Sequence, residues 1–61
     1  MTYKYVKFFR VWVTPDPEGK QTRLFNEYNY QNIAEDIAEI LRQHYGKDRV
    51  KIEIKKRRVN V

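Results

Sequence analysis

With 61 residues, 13 basic and 8 acidic side chains, a formal charge of +5 and no cysteine, residues 1–61 read as a single small basic domain. A domain of this size buries only about 60% of the surface its unfolded chain exposes, so its core is marginal. No disulfide or thiolate metal site can reinforce it. No run approaches the roughly 20 apolar residues of a membrane helix, and none reads as a signal peptide. The expectation is therefore a soluble, cytoplasmic protein with polyanions as electrostatic partners. Self-association is one way to add buried surface.

Residues 3–14 carry the strongest strand signal: Tyr3, Tyr5, Val6, Phe8, Phe9, Val11, Trp12 and Val13 are aromatic or β-branched. One face holds Lys4, Val6, Phe8, Arg10 and Trp12, the other Tyr3, Tyr5, Lys7, Phe9, Val11 and Val13. Apolar residues on both faces predict a central strand. Thr14–Lys20, with Pro15, Pro17 and Gly19, reads as a turn. Residues 20–25 read as a shorter, more polar return strand, completing a hairpin.

Asn26, Asn29 and Asn32 are all candidate N-caps, and Asn32 stands three residues before Glu35 at capping-box spacing. Ile33, Ile37, Ile40, Leu41 and His44 then recur at helical spacing, with Ala34 and Ala38 beside them. Acidic residues early and Arg42 late complement the helix dipole. Gly46 suits the position after a helix end, which predicts a helix over roughly residues 30–45. From Lys47 to Ile54 the chain alternates again, with Val50, Ile52 and Ile54 on one face and Arg49, Lys51 and Glu53 on the other. Lys55–Arg58 departs from that alternation, and Val59 and Val61 resume it in the opposite phase. A continuing strand is therefore expected to bulge or twist there.

The resulting fold class is α+β: a three-stranded antiparallel sheet in strand order 2-1-3, ββαβ in sequence, with one helix on one face. The stretch from Phe9 to Leu41 (strand, Asp-Pro turn, short strand, helix) resembles the sheet-plus-helix DNA-binding modules of phage-type integrases. Those have three strands before the helix and signature glycines near the second strand. Here a strand follows the helix and the glycines are missing, so no residue role is carried over.

All the net charge lies in Lys47–Val61, with seven basic and two acidic residues; residues 1–46 hold six of each. With the apolar set of the first strand turned to the helix, the open sheet face combines Phe8 and Trp12 with Lys4, Arg10, Arg49, Lys51, Lys55 and Arg57. The reverse orientation exposes Tyr3, Tyr5, Lys7 and Phe9 instead. Rings among cations are what single-stranded nucleic acid stacks on, and a basic ribbon also fits a duplex groove. The candidate binding residues are Arg10, Arg49, Lys51, Lys55, Lys56, Arg57 and Arg58, with Phe8 and Trp12 as stacking or interface residues. The plainer alternative is that these cations keep the strand soluble and guard its edge, while the rings pack in a core or a dimer.

Catalysis is not expected. His44 is the one histidine, there is no cysteine nucleophile, and Gly19 and Gly46 make no phosphate loop. Glu35 and Glu39 read as a solvated helix face, so neither cofactor nor metal is expected. A small ribonuclease toxin is the one enzymatic class the composition leaves. Two functions follow: a nucleic-acid-binding protein, DNA or RNA, using the open face and basic C-terminal strand; or a protein-interaction module. The second would be a homodimer, or a small viral or regulatory factor docking an acidic partner.

Overall fold

The computed structural model describes residues 2–16 and 18–60. Pro17 and Val61, assigned above to the turn and the last strand, lie outside the described residues, as does Met1. The elements are β1 (Tyr3–Val13), β2 (Arg23–Tyr28), α1 (Gln31–Tyr45), a short 3-10 turn (Lys47–Arg49) and β3 (Val50–Asn60). The sheet has three strands in the order β2-β1-β3, with β1 antiparallel to both neighbours. The fold class is therefore the one the sequence predicts.

The register sorts the side chains onto two faces. Phe9, Val11 and Val13 stand opposite Ile54, Ile52 and Val50 of β3. Phe9, Val11, Val13 and Val50 form the buried core with Ala34, Ala38 and Leu41 of α1, and Tyr28, Ile37 and Ile52 pack against it. The odd-numbered residues of β1 thus face the helix, as expected from their apolar character. The helix meets the sheet through small side chains: Ala34 and Ala38 are fully buried. Ile33 and Ile40, expected in the core, are exposed. At about 100° per residue they fall on the flank of the stripe that Ala34, Ala38 and Leu41 define.

β2 begins three residues later than the sequence predicts. The Asp16 carboxylate accepts the amides of Glu18 and Lys20, which ties Lys20 into the turn. Gly19, at φ 71°, donates its amide to the Asp16 carbonyl. The hydroxyls of Thr14 and Thr22 meet at 2.9 Å and close the base of this loop. The register of β1 against β2 then shifts between Val11 and Trp12, which pair with Asn26 and Leu24. Phe25 is the extra residue of that bulge, and it breaks the alternation that would have marked β2.

No capping box forms. The N-cap is Tyr30, without a side-chain cap, and Asn32 is already helical. Asn26 lies within β2, where its side chain accepts the amide of Glu27. At the other end Gly46 takes φ 120°, a conformation that favours glycine. Its amide bonds to the Arg42 carbonyl at 2.8 Å.

β3 runs without interruption from Val50 to Asn60, so of the bulge or twist expected at Lys55–Arg58 no bulge forms. The reason is where the helix ends. β2 pairs only with Phe9–Val13, whereas β3 pairs with β1 back to Tyr3. Ile54, at the limit of the helix, is already 59% exposed. Beyond it α1 no longer covers β3, Lys55–Arg58 are exposed, and the apolar alternation has no helix to match.

Candidate nucleic-acid interface

Residues Tyr3–Phe8 of β1 and Lys55–Asn60 of β3 form a two-stranded antiparallel ribbon that projects beyond β2. Six residues per strand at about 3.4 Å each make it about 20 Å long. It carries Lys4, Lys7, Lys55, Lys56, Arg57 and Arg58 and no carboxylate. The seven basic and eight acidic residues elsewhere leave −1, so the ribbon accounts for the whole excess charge. Pairing with β1 brings Lys4 and Lys7 beside the C-terminal cluster, a contribution that reading the last fifteen residues alone misses.

The cations stand on both faces. Lys4, Lys55 and Arg57 share the side away from the helix with Val6, Phe8 and Val59. Lys7, Lys56 and Arg58 share the other side with Tyr3, Tyr5 and Asn60. Among the described residues no ion pair engages Lys4, Lys7, Lys51 or Lys56. Arg58 lies over the Tyr3 ring, 5.1 Å from its centre.

The centre of the open face is different, because its charges are matched. The Arg10 guanidinium lies 3.8 Å from both Glu27 of β2 and Glu53 of β3. Glu27 also reaches Arg57 at 3.4 Å, and Glu53 reaches Lys55 at 3.9 Å. The Trp12 indole donates to Glu53 at 3.2 Å and is half-buried. Phe8 is on this face as expected, but it is only 8% exposed. The guanidinium groups of Arg10 and Arg57 lie over its ring at 5.4 and 4.5 Å. A shallow groove of about 360 Å³ beside it is lined by Val6, Asn29, Tyr30, Arg57 and Val59. Phe8 therefore presents no ring face for stacking. The accessible rings near the cations are Tyr30, 65% exposed beside Arg57 in this groove, and Tyr3 and Tyr5, 50% and 62% exposed, on the opposite side of the ribbon.

Arg49 precedes β3 rather than lying in it. Its guanidinium donates to the carbonyls of Thr14 and Asp16, and its own carbonyl accepts the Thr14 amide at 2.7 Å. It clamps the β1–β2 loop at the end of the molecule away from the ribbon. Lys51 stands opposite Trp12 at the same end of the open face. The candidate residues thus divide: Lys55, Lys56, Arg57 and Arg58 are brought together with Lys4 and Lys7, while Arg10 and Arg49 are engaged within the fold.

Among the described residues, no cluster of His, Asp and Glu is arranged to hold a metal ion. No helix there is long and apolar enough to cross a membrane. His44 packs edge-on against Tyr45, ring centres 4.8 Å apart. In comparisons with known proteins, no family model matches the chain, and neither does a curated protein or a solved structure.

Proposed function

We propose that this protein binds nucleic acid through the basic ribbon of β1 and β3. The observation that carries the reading is the six-cation ribbon without a carboxylate, projecting from a body of nearly balanced charge. Each phosphate neutralised releases counterions, so binding is electrostatic and steeply salt-dependent. With all six ribbon cations engaged, affinity for a duplex falls about 10³-fold between 50 and 200 mM salt. Arg10 and Phe8 pack at the base of the ribbon, and Lys51 stands apart from it, opposite Trp12 at the far end of the open face.

The test is fluorescence anisotropy with a labelled oligonucleotide at several salt concentrations. The variant replaces Lys55, Lys56, Arg57 and Arg58 with Gln, and its circular dichroism spectrum confirms the fold. Weaker binding and a log–log salt slope flatter by about 2–4 are expected. An unchanged slope contradicts the reading.

A second reading, a protein-interaction module, is favoured by exposed apolar side chains away from the ribbon: Leu24, Phe25, Ile33 and Ile40. Light scattering on the purified protein separates the two. A stable dimer indifferent to oligonucleotides supports the second reading, and a monomer that binds them supports the first.

A further inference from the structure

Resting on the nucleic-acid reading, we infer that the ligand is a B-form DNA duplex, and that the ribbon enters its major groove. A polyanion laid against one face would meet three of the six ribbon cations, because Lys4, Lys55 and Arg57 point one way and Lys7, Lys56 and Arg58 the other. A ribbon that enters a groove edge-on has a phosphate backbone opposite each of its faces, so both rows find partners, and the β1 edge of this ribbon is left unpaired by β2. The dimensions agree. The B-DNA major groove, about 12 Å wide, admits a two-stranded ribbon, and about 20 Å of ribbon spans roughly six base pairs at 3.4 Å each.

The same geometry argues against a single strand lying on the open face. Stacking along a strand needs a series of accessible rings, and the open face offers one, Tyr30, at the edge of the groove beside Arg57. There Phe8 is buried beneath the guanidinium groups of Arg10 and Arg57, and the Trp12 indole is held by Glu53. Duplex RNA is disfavoured for a different reason: its major groove is deep and narrow, and side chains do not read it.

The experiment is a competition among three probes of one sequence and length: duplex DNA, duplex RNA and single-stranded DNA, each displacing a labelled duplex DNA from the full chain. Duplex RNA is the decisive arm, because it is also a dense double-stranded polyanion but lacks the open major groove. Methylation of guanine N7, an atom on the major-groove edge, gives the second readout. Groove entry predicts that duplex DNA competes roughly tenfold or more better than either alternative, with N7 protected over about six base pairs. Equal competition by duplex RNA, tighter binding of the single strand, or unprotected N7 would overturn the groove assignment while leaving nucleic-acid binding intact. Absence of binding to all three probes overturns both.

Discussion

Arg10 and Lys56 are both cations on sheet strands, yet their surroundings differ. Arg10 sits between Glu27 and Glu53, and its guanidinium covers Phe8. Lys56 has no ion pair among the described residues and points from a ribbon with no carboxylate. Pairs as exposed as those of Arg10 contribute at most about 1 kcal/mol each, so Arg10→Gln is tolerated by the fold. Its salt slope for DNA binding stays close to that of the unmodified protein, whereas Lys56→Gln flattens the slope by about 0.9. Parallel salt titrations of the two variants check this, and an Arg10→Gln effect as large as that of Lys56→Gln would contradict it. The chain alone does not separate these residues. What neutralises Arg10 is two carboxylates far along the sequence, which only the strand register brings alongside. Arg49 was illegible for a similar reason, since its partners are carbonyls of the β1–β2 loop.

At the scale of elements, β1 and α1 were legible because their residue types and periods agree with their environment. β1 is apolar on both faces because it is central and because Phe8 is buried on the side opposite the core. The bounds of β2 are not legible in the sequence, because the Asp16 turn holds residues 18–20 and the Phe25 bulge removes alternation. The buried face of α1 follows small side chains and not large ones: the alanines, not Ile33 and Ile40, define the contact. Ala38 is fully buried and Ile40 is 61% exposed. Ala38→Leu should therefore overpack the helix–sheet contact, costing about 1–3 kcal/mol. A domain this small loses about 4–8 °C of Tm per kcal/mol. Ile40→Gln should change stability by no more than about 0.5 kcal/mol. Thermal melts by circular dichroism test the pair, and a larger loss for Ile40→Gln would reverse the assigned helix face.

The whole molecule is elongated, with extents of 48 × 22 × 13 Å. Its long axis is about six Debye lengths at physiological salt, so charges at its two ends do not cancel in solution. The ribbon concentrates six positive charges at one end, and α1 exposes Glu35, Asp36 and Glu39 elsewhere. Such polarity orients a polyanion toward the ribbon before contact. The basic cluster was plain in the sequence, but its shape was not. Alternation breaks at Lys55 because the strand leaves the shelter of the helix, and that same departure exposes cations on both of its faces. The most direct test is an amide ¹H–¹⁵N chemical-shift map of the protein titrated with a short DNA duplex. The largest perturbations should fall in Tyr3–Phe8 and Lys55–Asn60, with Glu35, Asp36 and Glu39 undisturbed. Perturbations centred on α1 or on the β1–β2 loop, with a silent ribbon, would contradict the account.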